Sequence, residues 1–157
     1  MAKTKEQKAG KLSAADLRAK LNKKAGLNIA HNLQEDNPTE VKAWIPTGSR
    51  WLDSIICRGK LAGIPVGKIT EIAGLEGSGK SYMAAQVAAN AQKMGIDVIY
   101  FDSESAIDPD FLSRAGCDLE KLLYIQAQSV EFVLETIEDL LGSNENRMLF
   151  IWDSLAL

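Results

Sequence analysis

The sequence has little sulfur and almost no imidazole. Its 157 residues include 2 cysteines and 1 histidine. Cys57 and Cys117 lack CxxC spacing, and His31 has no second histidine to join. A disulfide framework, a structural zinc site and a His-based metal site are therefore excluded. Such sparing cysteine use fits a reducing compartment. No stretch approaches the ~18 apolar residues that a membrane helix needs. The N-terminus is charged and lacks the apolar core of a secretory signal, which makes the cytoplasm the default location. Internal repeats are absent too, and no low-complexity tract follows the Lys-rich start.

What is present is ordinary in bulk and uneven in distribution. Apolar residues make up 46% and charged residues 25%, as in a folded globular protein of one domain. The net charge of −3 conceals two ends of opposite sign. Residues 1–24 carry eight Lys or Arg against Glu6 and Asp16, whereas residues 97–157 carry thirteen acidic residues against Arg114, Lys121 and Arg147. A basic arm of this kind contacts nucleic acid or an acidic surface, or simply aids solubility.

Periodicity divides the chain. Residues 1–11 read as a disordered leader. A short helix starts near Ser13, an N-cap with Asp16 three positions on, and Leu17 and Leu21 share one face. Residues 1–30 thus form a basic leader and small helix that needs a partner surface. Residues 31–43 read as a linker, and a body begins at Trp44. Trp44 and Trp51 are expected to pack near its start. Strands are expected at Lys68–Ala73, Ile96–Phe101, Leu122–Gln126 and Met148–Trp152. Helices are expected at Lys80–Met94, Pro109–Ala115 and Glu131–Leu141, the last ended by Gly142 and Ser143. Ala84, Val87, Ala88 and Ala91 share a face of the first of these. The strands are apolar on both faces and alternate with helices, which predicts an α/β fold with a buried, mostly parallel sheet flanked by helices.

The strongest chemical signal is Gly74-Leu75-Glu76-Gly77-Ser78-Gly79-Lys80-Ser81, a full GxxxxGK[ST] phosphate loop between a predicted strand and a predicted helix. Gly77 and Gly79 let backbone N–H groups turn inward around phosphates. The helix N-terminus adds partial positive charge. Lys80 reaches the outer phosphates, and Ser81 offers a hydroxyl to Mg²⁺. A nucleoside triphosphate and Mg²⁺ are the expected ligands. Asp153, the first acidic residue after the apolar run 148–152, is placed to hold the metal at a strand's carboxyl end. Hydrolysis also needs a group that activates water. Spacing leaves Glu104 and Asp102 open for that role. Glu104 is better placed beyond the strand, while Asp102 supports the metal shell or caps the turn.

A wider set of residues carries a resemblance. Ile45-Pro46-Thr47-Gly48, Leu52-Asp53 and Gly63 through Gly74 lead into the phosphate loop. Asp102-Ser103-Glu104-Ser105-Ala106-Ile107-Asp108-Pro109 and Ile151-Trp152-Asp153-Ser154-Leu155-Ala156 follow it. Together they resemble the RecA family of recombinases, including the related recombinases of tailed phages, over roughly residues 45–157. The resemblance implies a P-loop NTPase of RecA-like fold, with 44–157 as the first part of its ATPase core. It makes Glu104 the catalytic glutamate, beside Lys80, and Asp153 the Mg²⁺-linked aspartate. It sets Phe111 against the adenine ring, with Asp108 in the same segment, and gives Glu71 a structural role.

The resemblance also implies a homo-oligomeric helical filament in which the N-terminal segment packs on a neighbour. Its substrates are single-stranded DNA and a homologous duplex, and its activity is a DNA-dependent ATPase that serves homologous recombination and repair. The family's DNA-binding loops, its γ-phosphate-sensing glutamine and its last strands come after the Asp153 strand. The sequence is thus expected to be the N-terminal part of a longer protein, its fold incomplete at the C-terminus. The residues leave two other classes open: a RecA-fold motor of the helicase type, and a non-catalytic nucleotide-binding interaction module.

Overall fold

The computed structural model describes residues 12–35 and 37–155. The expected disordered leader, 1–11, and the last two residues, Ala156 and Leu157, lie outside the described residues. The chain divides into two units, Met1–Glu40 and Val41–Leu157.

The first unit holds helix α1, Ala14–Ala25. Ser13 Oγ accepts from the Asp16 amide at 3.1 Å, and the Asp16 carboxylate accepts from the Ser13 amide at 3.1 Å. This reciprocal box satisfies donors that the first helical turn leaves orphaned. Lys23 and Lys24 sit at the negative end of the helix dipole, before a left-handed Gly26. Past that turn, Asn22 Oδ1 accepts from the amides of Ile29 and Ala30. Leu17 and Leu21 are about half exposed within this unit.

The second unit begins with a two-stranded antiparallel ribbon, β1 (Trp44–Ile45) with β2 (Ile64–Pro65). Helix α2, Arg50–Ile56, stands between them, capped by Ser49. Asp53 is buried on its inner side and accepts from the Thr47 amide and hydroxyl at 2.9 and 2.7 Å. With Asp53 turned inward, Trp51 faces out and is 79% exposed, contrary to the expectation that it packs. Trp44 is half-buried.

The sheet is parallel, in the order β4-β3-β5. Its strands are β3 (Asp97–Asp102), β4 (Leu122–Gln126) and β5 (Met148–Asp153). Helix α3, Lys80–Lys93, precedes β3, and α4, Pro109–Ala115, leads from β3 to β4. Helix α5, Val130–Ser143, carries the chain from β4 across to the far side of β3. Gly142 and Ser143 stay inside α5, and Asn144 caps it, a shift of two residues from the expected stop. No helix among the described residues is long and apolar enough to cross a membrane.

Both faces of β3 are covered. Val98 and Tyr100 pack with Ala85, Ala88 and Ala91 of α3 and with Leu112 and Ala115 of α4. Ile99 and Phe101 pack with Val133, Ile137 and Leu140 of α5. A strand sealed on both sides has no polar face, which explains why its sequence does not alternate. The alanines let α3 lie close to the sheet. Ala85 and Ala89 belong to its buried face, whereas Ala84 is only half-buried.

One expected strand is absent. Residues 68–73 form no ladder with any described residue, and Ile69 is fully exposed. An apolar run becomes a strand only when a neighbour accepts its backbone hydrogen bonds. Here none lies alongside, so the parallel sheet has three strands rather than four. Glu71 is exposed on the same segment.

Candidate functional site

The short link Met94–Ile96 reverses the chain between α3 and β3, so α3 runs antiparallel to the strands. Its C-terminal part lies near the start of β4, where Gln92 Nε2 donates to the Asp118 carbonyl and Gln92 Oε1 accepts from the Asp118 amide, at 2.9 Å each. Its N-terminus, with the phosphate loop, therefore lies at the carboxyl end of the sheet. There the chain leaves β3 toward β4 on one side, while β5 occupies the other. Open α/β sheets place ligands at such a switch point.

The loop is held by itself. The Ser78 amide donates to Leu75 O at 3.2 Å. Lys80 Nζ donates to the carbonyls of Gly74 and Leu75 at 3.1 and 3.0 Å. Gly77 and Gly79 have φ values of 71° and 92°, a left-handed region that a side chain disfavours. Gly79 is also the N-cap of α3 and offers no side-chain acceptor. Helices α1, α2, α4 and α5 are each capped by a Ser or Asp oxygen. The first donors of α3 are thus left for an anion, with the helix dipole behind them.

At the carboxyl end of the sheet, the ends of β3 and β5 are laced together. The Ser103 amide donates to Asp153 O at 3.0 Å, and Trp152 Nε1 donates to Ser103 Oγ at 2.9 Å. Ser154 Oγ donates to Glu104 Oε1 at 2.9 Å. Asp102 and Asp153 are direct neighbours across the ladder, so two of the three candidate carboxylates lie side by side, with Glu104 two residues beyond.

The aspartates have opposite surroundings. Asp102 is 1% exposed. Its carboxylate accepts from the amides of Glu104 and Ile107 at 3.0 Å each, and from the Tyr124 hydroxyl at 2.9 Å. Burial pushes its pKa up, but hydrogen bonds from Ile107, Tyr124, Ala106 and Glu104 outweigh it and hold the carboxyl below its ordinary range. Asp102 therefore caps the turn after β3. Asp153 is half-buried and accepts one side-chain hydrogen bond among the described residues, from the Tyr100 hydroxyl at 3.0 Å. Burial first, then the Asp153 charge, pushes the Tyr100 ionisation far up, so Tyr100 remains a donor.

Ser81 is half-buried on the first turn of α3. An alcohol and a carboxylate supply oxygen donors only. That suits Mg²⁺, a hard cation that keeps several waters, and does not suit zinc. No group of three His, Cys, Asp or Glu gathers among the described residues.

Asp108 caps α4 and accepts from the Asp110 amide at 3.0 Å. Phe111, three residues on, meets Tyr82 edge-to-face with ring centroids 6.2 Å apart. Tyr82 follows Ser81 directly and is 55% exposed, so this aromatic pair joins α4 to the phosphate-loop helix. Sequence reasoning passed over Tyr82. A lone aromatic on a helix carries no signal until the fold sets a second ring beside it. Tyr100 escaped notice for a related reason: it reads as one more apolar residue of a buried strand.

The family described as the RecA N-terminal domain matches residues 12–157. The protein named Protein RecA from Aquifex pyrophilus is 36% identical over 157 residues, covering 99% of this chain and 44% of that protein. That from Streptomyces coelicolor is 35% identical over 156 residues, covering 99% and 39%. That from Aquifex aeolicus is 43% identical over 112 residues, covering 71% and 31%. The chain spans less than half the length of these relatives. The match runs from the α1 cap through the phosphate loop to the Asp153 strand, and the chain belongs to the RecA family.

Proposed function

We propose that this chain is the nucleotide-binding part of an ATP-dependent recombination protein, one that forms a filament on single-stranded DNA and pairs it with a homologous duplex. The observation that carries this reading is the convergence at one end of the sheet. A helix N-terminus without a side-chain cap and the strand ends that carry Glu104 and Asp153 lie at that end. The phosphate loop, Gly74–Ser81, holds the triphosphate through backbone amides and Lys80. Ser81 and Asp153 hold Mg²⁺, which would neutralise phosphate charge. Glu104 orients and deprotonates the attacking water. Phe111 offers a ring face to the adenine, and Asp108 fixes the turn that presents it. Helix α1 supplies the oligomerisation segment, with Leu17 and Leu21 toward a neighbouring subunit. DNA binding is backbone-led, which leaves bases free to pair. The protein works in the cytoplasm, of a bacterial cell or a phage-infected host. It acts there as a DNA-dependent ATPase in recombination and repair.

The test uses the complete protein that carries this sequence. ATP hydrolysis is measured with and without single-stranded DNA, alongside strand exchange with a homologous duplex. Single-stranded DNA is expected to stimulate hydrolysis and to be exchanged. Lys80→Ala removes a charge-assisted contact of about 1.5–3 kcal/mol, so affinity for a fluorescent ATP analogue falls roughly 10- to 150-fold. ATP binding without hydrolysis would favour the interaction module. A hexameric ring that unwinds duplex without exchanging strands would favour the motor.

A further inference from the structure

Two tyrosines stand in the same relation to two aspartates. On the ladder, Tyr124 of β4 faces Tyr100 of β3, and Tyr100 faces Ile151 of β5. Each tyrosine reaches two residues along its neighbour. Tyr124 donates to Asp102 at 2.9 Å, and Tyr100 donates to Asp153 at 3.0 Å. Such diagonal pairs share one face of the sheet, within reach of a long side chain.

The two pairs differ in what remains of the carboxylate. Both oxygens of Asp102 are engaged by backbone amides as well as by Tyr124. On Asp153, Tyr100 engages Oδ2, and Oδ1 accepts no protein hydrogen bond among the described residues. Tyr100 itself is fully buried in the cluster under α3 and α4. A phenylalanine would fill that space and need no partner, so the apolar packing does not require the hydroxyl. Once buried, the hydroxyl needs an acceptor, and it takes one oxygen of Asp153.

We infer that Tyr100 is a positioning residue for Asp153: its hydroxyl pins one carboxylate oxygen and so fixes the direction in which the other is offered to a divalent cation. The inference rests on the reading of Asp153 as the metal-linked carboxylate. Partners one step behind a metal-binding group set its orientation and its affinity.

The test measures metal affinity rather than turnover, in the complete protein with a non-hydrolysed ATP analogue. Mn²⁺ serves as the probe, titrated by electron paramagnetic resonance. Tyr100→Phe is expected to weaken Mn²⁺ binding about 10-fold, while metal-free affinity for the analogue stays unchanged. Asp153→Asn is expected to weaken Mn²⁺ at least as much, with no further loss when Tyr100→Phe is added. An unchanged Mn²⁺ affinity in Tyr100→Phe, with loss in Asp153→Asn, overturns the positioning role and leaves the site intact. An unchanged affinity in Asp153→Asn overturns the metal reading of Asp153, and the positioning role with it. An equal loss from Tyr100→Phe in the Asp153→Asn background overturns the role by assigning the effect to the fold. Should Tyr100→Phe unfold by circular dichroism, 3-fluorotyrosine at position 100 keeps the hydroxyl and alters its donor strength. Mn²⁺ affinity should then shift, and no shift overturns the inference.

Discussion

The Ser154 hydroxyl donates to the Glu104 carboxylate at 2.9 Å, tying the residue after β5 to the residue proposed to activate water. The bond joins two chain segments that are 50 residues apart. It leaves Glu104 Oε2 outside this contact.

This pair separates chemistry from anchoring. Glu104→Gln keeps the shape and loses the base. Turnover in the complete protein should fall by about 10²–10⁴-fold, with nucleotide affinity preserved. Ser154→Ala keeps the base and removes one hydrogen bond to a charged group, worth about 1.5 kcal/mol, or roughly 10-fold in rate. Steady-state ATPase with a parallel binding titration checks both. Undiminished hydrolysis in Glu104→Gln would remove Glu104 from the mechanism.

Asp102 makes a pH prediction. Its carboxyl is held below the ordinary range in the folded chain, so the unfolded chain binds the proton more readily. The stabilisation is therefore fully present above the unfolded value of about 3.9 and is lost as pH falls through the lower folded value. Asp102→Asn cannot accept from all three donors and should cost roughly 2–3 kcal/mol at pH 7. Denaturant unfolding at stepped pH checks this. The gap between the parent and Asp102→Asn should narrow below about pH 4. A gap that stays constant down to acid would show that the charge of Asp102 contributes nothing.

Gly63 predicts a backbone effect away from the phosphate loop. Its φ is 105°, and an added Cβ would run into the Ile45 carbonyl oxygen, which is backbone and cannot swing aside. Gly63→Ala should cost about 3 kcal/mol or more and open the β1–β2 ribbon. Gly67, at φ 76° with no atom within 4 Å of an added Cβ, is the control. Gly67→Ala should cost only the left-handed penalty of about 1–2 kcal/mol. Thermal unfolding of the two variants should rank them in that order.

Legibility in the sequence followed how local each cause was. The Ser13–Asp16 box and the Pro109–Ala115 helix were readable because each is set by neighbours a few residues away. The phosphate loop was readable for the same reason, since its eight consecutive residues carry the motif. Residues 68–73 misled because their apolar pattern is local while a strand's hydrogen bonds are not. Trp51 misled similarly: its size favours burial, but α2 commits its inner side to Asp53 and Thr47.

By itself, then, the sequence determined a phosphate loop on a helix N-terminus, a set of helices and strands that implies a parallel sheet, and the acidic candidates Asp102, Glu104 and Asp153. The tertiary structure decided what each carboxylate is free to do. It sealed Asp102 in a turn, tied Glu104 to Ser154, and set Tyr100 under α3 with its hydroxyl on one oxygen of Asp153. Those choices depend on strand order and register, which bring residues 22 to 53 positions apart into hydrogen-bond range. No local pattern encodes such a distance. It follows only once both faces of β3 are buried and each polar group enclosed there must find a partner.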